Sequence, residues 1–219
     1  MSETMAETVF LLHGLGRTAN SLLVLEMRLK AAGYDVVNES YPSTKASLET
    51  LIQAEPPRLL ALRPNAKRVH FVTHSMGGIV IRGYLARHAI PMLGRVVMLG
   101  PPNKGAELID AMSRIPGFDR VASPAGKAIG ATEDSIPNQI DDADAEFGVI
   151  AGRVSLNPLL SSMIEGENDG KVSVESTKFD AMTDHVVMPV SHTFMMNDKD
   201  VARQVIQFLK TGRFDHDME

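Results

Sequence analysis

Short apolar runs alternate along the chain with segments of helical periodicity. The apolar runs are TVFLLHG (8–14), YDVVNESYP (34–42), RVHFVTHS (68–75), RVVMLGPP (95–102), FGVIAG (147–152) and HVVMPV (185–190). Most of them are apolar throughout rather than at alternate positions, which is typical of strands covered on both faces of a sheet. The pattern predicts about six strands in a buried, mainly parallel sheet.

Helical patterns fill the gaps between these runs. We expect helices at about 18–32, 46–63, 76–89, 105–114 and 198–211, the second of them interrupted by prolines. Gly33 and Gly212 directly follow two of these segments, as glycine commonly does at helix C-termini. Strands that alternate with helices predict the α/β class, with a doubly wound sheet and helices on both of its faces.

The length of 219 residues suits a single domain, 1–219. Segment 103–146 does not follow the alternation, because most of it is rich in Pro, Gly, Ser and Asp. It is also large enough to cover a site at the edge of the sheet. Segment 103–146 is therefore a candidate for a small cap or lid insertion.

Composition excludes several classes of function. A net charge of −5 disfavours a nucleic-acid partner, and the lack of cysteine excludes disulfides, thiolate metal sites and a cysteine nucleophile. The N-terminus, MSETMAETVF, has no basic region before its apolar residues, and no apolar run is long enough to span a bilayer. We expect a cytoplasmic protein without a transmembrane segment. Nothing in the sequence indicates its oligomeric state.

The stretch VHFVTHSMGGIV, residues 69–80, places Ser75 where the third predicted strand turns into a helix. A serine on such a turn is exposed as a nucleophile, and its neighbours must be small because the turn brings them together, which is the physical content of G-x-S-x-G. Here Thr73 replaces the first glycine, while Gly77 and Gly78 follow. The alternative is a serine that only caps the helix. We interpret Ser75 as a nucleophile.

A serine hydroxyl needs a base, and on this kind of sheet the base follows the last strand. His192, in PVSHTFMM, has that position. His185 is expected at the start of the last strand, at the opposite end of the sheet. His74 is expected to point away from Ser75, and His216 lies in the C-terminal tail. These positions favour His192.

The acid that orients the histidine should follow the fifth strand. Asp169 lies there in a tight Asn-Asp-Gly turn of EGENDGKVSVES. An aspartate in such a turn can also serve only to cap its own backbone. Glu167 is the neighbouring alternative, and Asp184 is expected before the last strand. We favour Asp169, with the role of orienting His192 and stabilising its imidazolium form.

An oxyanion hole requires two backbone N–H groups that point at the developing negative charge. One is expected from Met76, the residue after the nucleophile. The other is expected from the loop after the first strand, LLHGLGR (11–17), where Gly14 and Gly16 allow close approach and Leu15 is the candidate donor. The alternative for this loop is an ordinary strand-to-helix turn.

Five motifs together carry a resemblance to a known family: FLLHGLGR, VTHSMGG, LGPPNKGAEL, NDGKVSVES and VSHTFMM, in this order. The chain resembles the α/β-hydrolase superfamily from residue 8 to about 210, and more closely its compact bacterial lipases and serine esterases. That resemblance implies a Ser75–His192–Asp169 triad and oxyanion donors at Leu15 and Met76. It implies hydrolysis of a small ester through an acyl-enzyme, with neither metal nor organic cofactor, and a sheet without the N-terminal strand hairpin.

An apolar stripe at helical spacing lies in the first part of 103–146, formed by Leu108, Ile109, Met112 and Ile115. The stripe fits packing onto the sheet as core. It also fits an acyl-binding wall in which Leu108 and Met112 bind substrate beside Leu15 and Met76. The rest of the segment is too polar to form a broad apolar surface, so we expect soluble short- to medium-chain esters and no interfacial activation.

Other functions remain open at this point. The same residues would serve an acyltransferase, a thioesterase or an amidase, and a hydrolase fold can also act as a catalytically silent binding protein. A dinucleotide-binding protein is disfavoured, because HGLGRTAN lacks the G-x-G-x-x-G spacing.

Overall fold

The computed structural model describes residues 6–118 and 122–217. The strands are β1 (Thr8–Leu12), β2 (Asp35–Asn38), β3 (Val69–His74), β4 (Leu93–Leu99), β5 (Glu146–Gly152) and β6 (Met182–Met188). The α-helices are α1 (Leu23–Ala31), α2 (Leu48–Leu60), α3 (Met76–Leu85), α4 (Glu107–Ser113), α5 (Pro124–Lys127), α6 (Pro158–Ser161) and α7 (Lys199–Thr211). Short 3-10 helices cover Ala19–Leu22, Ile136–Gln139 and Met195–Asn197.

The six strands form one parallel sheet in the order β2-β1-β3-β4-β5-β6. The chain first moves from β1 outward to β2, then crosses to β3 on the other side of β1 and continues outward from there. The order therefore reverses between β1 and β3, which creates a crevice at the carboxyl ends of these two strands. The predicted doubly wound, parallel α/β sheet is confirmed.

Two hydrophobic layers enclose the sheet, and β1 contributes to both. Phe10 and Leu12 pack in the layer that contains α2 and α3, while Val9 and Leu11 pack in the layer that contains α1 and α7. All four side chains are fully buried. Burying an apolar side chain of this size stabilises a fold by roughly 1.5–3 kcal/mol. This two-sided burial is why the run is apolar at every position.

The structure corrects two boundaries. The last strand runs from Met182 to Met188 rather than over 185–190, so Asp184 and His185 lie within it and not before it or at its start. As the edge strand of the sheet, β6 pairs on one side and keeps a half-buried face, which accommodates polar residues in its first half. Helix α2 continues through Pro56 and Pro57, because its apolar face remains buried against the sheet.

One buried arginine, Arg82, contributes to fixing segment 103–146 to the body of the domain. Arg82, on α3, donates to the carbonyl oxygens of Asn103 at 3.0 Å, Pro137 at 3.3 Å and Ile140 at 3.0 Å. Its guanidinium also lies 4.7 Å from the centre of the Phe179 ring. Both ends of the segment are thereby attached to a core helix. No helix in the part of the chain that the structure describes has the length and apolar character needed to cross a membrane.

Candidate active site

The turn from β3 to α3 holds Ser75 in a strained backbone conformation. Its φ is 53° and its ψ is −124°, and it is the single non-glycine residue with positive φ among the described residues. A conformation of this kind costs about 1–3 kcal/mol and persists only where the surrounding structure imposes it. Gly77 makes the turn possible, because a Cβ atom there would lie 2.5 Å from the carbonyl oxygen of Leu12.

Thr73 takes the place of the first glycine of the usual motif, and Gly78 compensates for it. The Thr73 side chain is fully buried. A Cβ atom on Gly78 would lie 3.3 Å from the Thr73 hydroxyl oxygen and 3.0 Å from Cβ of Pro101. The space that a larger residue at position 78 would occupy is thus used by Thr73 and Pro101. The double glycine after Ser75 accommodates the departure at position 73.

Ser75, His192 and Asp169 lie in one hydrogen-bonded chain. The Ser75 hydroxyl lies 3.0 Å from Nε2 of His192. The other ring nitrogen, Nδ1, lies 2.7 Å from Oδ2 of Asp169. Because a carboxylate can only accept, Nδ1–H donates to Asp169, which leaves Nε2 free to accept the Ser75 proton. Asp169 and His192 are both buried. The arrangement has the geometry of a serine nucleophile, a general base and an orienting acid.

The Asn-Asp-Gly turn orients Asp169 through its backbone. Oδ1 of Asp169 accepts from the N–H groups of Lys171 at 3.0 Å and Val172 at 2.9 Å. The backbone N–H of His192 donates to the carbonyl oxygen of Asp169 at 3.1 Å. One carboxylate oxygen is therefore held by the turn, and the other is directed at the imidazole.

The alternative acids and bases have other partners. Asp184 accepts from the backbone N–H of Phe214 at 2.8 Å and pairs with His216 at 3.0 Å. His185 lies 2.9 Å from the Thr177 hydroxyl. The fourth rival, Glu167, is exposed on the surface. None of these side chains lies in the hydrogen-bonded chain that contains Ser75.

His74 lies against the site, contrary to the expectation that it points away. Its Nε2–H donates to the carbonyl oxygen of His192 at 2.9 Å, and its ring centre is 4.8 Å from that of His192. Complete burial, followed by the charge of His192, lowers the pKa of His74 well below its usual value. His74 is therefore neutral and ties the loop of His192 to the end of β3. No local sequence signal marks this role, because β3 also carries the polar residues His70 and Thr73.

Gly100, directly after β4, was not singled out from the sequence although it makes room for the triad. Its φ is +54°, and a Cβ atom there would lie 3.1 Å from Oδ2 of Asp169, from Nδ1 of His192 and from the sulfur of Met195. The pairing of Asp169 with His192 thus occupies the space that a side chain at position 100 would fill. A glycine directly after a strand, in MLGPP, is the sequence signal.

The loop after β1 brings its backbone next to Ser75. A Cβ atom on Gly14 would lie 3.1 Å from Cβ of Ser75. Among the described residues, no hydrogen-bond acceptor is found for the backbone N–H of Leu15 or of Met76, the first residue of α3. The Met76 side chain is fully buried in the core and does not line the cavity, so only its backbone can face a substrate.

A cavity of about 310 Å³ opens onto Ser75 and His192. Part of its wall is apolar and includes Leu15, Ala106, Leu108, Ile109, Met112 and Leu160. The first part of segment 103–146 therefore faces the cavity, and Ile109 also packs against the core. Ile115 is about half exposed and does not line the cavity. Leu160, on α6, was not foreseen. In the described part of the chain, no group of three or more His, Asp or Glu residues is arranged to hold a metal ion.

The architecture has close counterparts among solved structures. The mature form of the Bacillus licheniformis lipase BlEst2 is similar with a TM-score of 0.78 at 17% sequence identity, over 96% of this chain and 93% of that protein. This chain has the α/β-hydrolase fold. The predicted resemblance to compact bacterial lipases and esterases is confirmed at the level of the fold.

Two further α/β-hydrolase structures extend the comparison. The phospholipase PlaB of Legionella pneumophila has a TM-score of 0.72 at 16% identity, over 97% of this chain and 61% of that protein. The Pyrococcus furiosus esterase Pf2001 has a TM-score of 0.61 at 18% identity, over 93% of this chain and 82% of that protein. No protein-family model matches the sequence, and no curated protein is significantly similar to it. The α/β-hydrolase crevice between β1 and β3 is where Ser75 and the loop of Leu15 meet.

Proposed function

We propose that this protein is a serine hydrolase that cleaves carboxylic esters through a triad of Ser75, His192 and Asp169. The observation that carries the proposal is the unbroken hydrogen-bonded chain from the Ser75 hydroxyl through both nitrogens of His192 to Asp169. A serine that merely capped a helix would need neither a strained backbone nor a base at 3.0 Å.

In the first half of the reaction, His192 Nε2 takes the proton of Ser75 as the hydroxyl oxygen attacks the ester carbonyl. The backbone N–H groups of Leu15 and Met76 would bind the oxyanion, and the N-terminus of α3 favours negative charge there. His192 then returns the proton to the departing alcohol. In the second half, water that His192 deprotonates attacks the acyl-enzyme, and His192 returns this proton to the Ser75 oxygen as the bond to the acyl group breaks and the acid leaves. Asp169 stays ionised and stabilises the imidazolium throughout.

The substrate class follows from the cavity and its surroundings. Its apolar wall suits the acyl chain of a short- to medium-chain ester. Segment 103–146 is attached to α3 through Arg82 at both ends, which argues against a large lid movement. Leu156 and Leu159, 62% and 70% exposed, lie near the cavity-lining Leu160 in sequence, but exposed apolar side chains in small numbers are normal on soluble proteins. We therefore propose soluble esters as substrates.

A fluorophosphonate label and a matched variant test the proposal. The probe should label the wild-type protein on Ser75 and should not label Ser75→Ala. Hydrolysis of 4-nitrophenyl butyrate should fall by several orders of magnitude in Ser75→Ala, while its circular dichroism spectrum and unfolding midpoint stay native-like. The control is Ser113→Ala, because Ser113 is exposed and its hydroxyl donates to the Asp110 carbonyl of its own helix; this variant should retain full activity. Turnover that survives in Ser75→Ala would reject the assignment of the nucleophile.

The same triad could transfer the acyl group to an acceptor other than water, or cleave a thioester or an amide. Product analysis with added alcohols, and a panel of ester, thioester and amide substrates with one acyl group, separates these reactions. A protein that is neither labelled nor active on any of them would be a hydrolase-fold binding protein.

A further inference from the structure

Two basic side chains line the candidate active-site cavity. Arg17 comes from the loop after β1, and Lys171 comes from the loop after β5. The two loops are separated by more than 150 residues in sequence, so the fold brings these cations to one cavity. The proposed chemistry, with a neutral ester and a Ser-His-Asp triad, uses neither of them.

Neither cation has a close anionic partner in the described part of the chain, and Asp169, whose charge acts on Lys171, is bound to His192. Among the described residues, the side chains of Arg17 and Lys171 take part in no ion pair and no hydrogen bond, whereas Lys30, Lys104 and Lys178 all pair with a glutamate. The paired lysines lie within 2.5–2.9 Å of their partners. The chain has a net charge of −5, so two cations at one cavity without an ion pair among the described residues are a local concentration of positive charge that suits a ligand of opposite charge.

Both cations lie close to the reacting groups. Arg17 is two residues beyond Leu15, and its backbone N–H donates to the carbonyl of Gly14 at 3.2 Å, which closes the turn beside Ser75. Lys171 is two residues beyond Asp169 and donates its backbone N–H to that carboxylate at 3.0 Å. Each cation is thus carried by a loop that also holds a residue of the proposed mechanism.

The pKa shifts of Lys171 and His74 agree with the placement of both cations at one cavity. Although the Lys171 side chain is exposed, desolvation by nearby protein and then the positive charge of Arg17 lower its pKa, while the charge of Asp169 opposes this shift. After burial and the charge of His192, both Arg17 and Lys171 contribute to the lowered pKa of His74. The two cations therefore repel each other, and their charges also act on His74 at the end of β3. An anion bound between them would relieve that repulsion.

We propose that Arg17 and Lys171 bind an anionic group of the ester substrate, a carboxylate or a phosphate located beyond the scissile carbonyl, while the apolar wall of the cavity binds its hydrocarbon part. This inference rests on the proposed serine hydrolase function and adds the substrate class, an anionic ester. Arg17 suits a planar carboxylate or a phosphate through paired N–H donors, and Lys171 adds a compact charge.

Two matched pairs of esters test the inference and distinguish the source of the anion. The first pair places the charge in the acyl group and compares mono-4-nitrophenyl adipate with 4-nitrophenyl hexanoate. The second pair places the charge on the alcohol side and compares 1,2-dibutyrylglycerol 3-phosphate with 1,2-dibutyrylglycerol. Hydrolysis of this pair is measured by the release of butyric acid. For each pair, the ratio of kcat/KM for the anionic ester to that for the neutral ester is measured.

The wild-type ratio should exceed one for at least one pair. For that pair, Arg17→Gln and Lys171→Gln should each lower the ratio about twofold to tenfold, because Arg17 is half-buried and Lys171 is exposed, and such charges contribute less than fully buried ones. The double variant should lower it further, and Lys171→Glu should bring it below one. High salt should reduce the wild-type ratio, because it screens the attraction.

Lys67→Gln is the matched control, because Lys67 is exposed just before β3 at the opposite edge of the sheet. It should leave the ratio unchanged for both pairs. Neutral esters that are cleaved by a Ser75-dependent reaction, with ratios that the double variant does not alter, would overturn this inference and leave the proposed function standing. Absence of turnover on all four esters would overturn both.

Discussion

The replacement Asp169→Asn removes the negative charge of the carboxylate but keeps the size and shape of the side chain. Oδ1 of Asp169 accepts from two backbone N–H groups, those of Lys171 and Val172, and Oδ2 accepts from Nδ1–H of His192. An asparagine has one carbonyl oxygen and one NH₂ group. If its oxygen keeps the bonds to the turn, its NH₂ group faces Nδ1, and His192 must then carry its proton on Nε2. A protonated Nε2 cannot accept the proton of Ser75.

The expected loss of activity in Asp169→Asn follows from the same contacts. Turning the amide over would restore the correct tautomer, but it would direct an NH₂ group at two backbone donors. Leaving two buried N–H groups without acceptors costs about 2–4 kcal/mol, or roughly thirtyfold to a thousandfold in the population of the active tautomer. Loss of the negative charge that stabilises the imidazolium adds to this effect. We expect kcat to fall by about 10³–10⁴-fold in total.

The assay is hydrolysis of 4-nitrophenyl butyrate, with urea unfolding in parallel. Because the amide oxygen can take over both bonds to the turn, the unfolding midpoint of Asp169→Asn should change little. Asp184→Asn is the matched control: it makes the same chemical change at an aspartate that pairs with Phe214 and His216, and it should leave kcat within about twofold of the wild type. A kcat above a tenth of the wild-type value in Asp169→Asn would refute the reasoning, as would an inactive Asp184→Asn.

Three further predictions test other parts of the molecule. Gly77→Ala should lower the free energy of unfolding by about 1–3 kcal/mol in urea melts and abolish activity, because its Cβ would overlap the Leu12 carbonyl; native stability would contradict the close approach. Burial lowers the pKa of His13, His70 and His74, so their contribution to stability is present above pH 6.5 and lost as the pH falls below it. The free energy of unfolding from urea melts should therefore drop between pH 7 and pH 5, by up to about 1.4 kcal/mol per pH unit for each histidine, and a flat profile would contradict this. The rate with a soluble ester should show no sharp rise at its solubility limit; such a rise would indicate interfacial activation.

The order of the strands explains how much of the site could be inferred from sequence. The carboxyl ends of parallel strands meet at one edge, so a serine after β3, an aspartate after β5 and a histidine after β6 are expected near each other without knowledge of side-chain positions. Ser75, Asp169 and His192 were selected on that ground. The fold class was predictable for a related reason, because two-sided burial makes the central strands apolar at most positions rather than at alternate ones.

The remaining features depend on contacts that no local pattern encodes. His74 faces the loop of His192, more than 100 residues away, and only the packing of that loop on β3 determines its partner. Gly100 is required by two residues of other loops rather than by its own turn alone. Arg17 and Lys171 likewise lie at one cavity because two loops that are distant in sequence meet there. The start of β6 was predicted three residues too late because the first half of this strand is polar. An edge strand tolerates such half-buried polar residues.

Backbone hydrogen bonds between strand ends give the candidate triad its precision. The N–H of Ser75 donates to the carbonyl of Leu99 at 2.8 Å, and the N–H of Gly100 donates to that of Ile150 at 2.8 Å. His192 is held by its own N–H on Asp169 and by His74 on its carbonyl. These bonds do not depend on which side chains occupy the neighbouring positions. The sheet can therefore accept a threonine at position 73 of the nucleophile turn, provided that Gly78 leaves it room, without displacing Ser75 from its base.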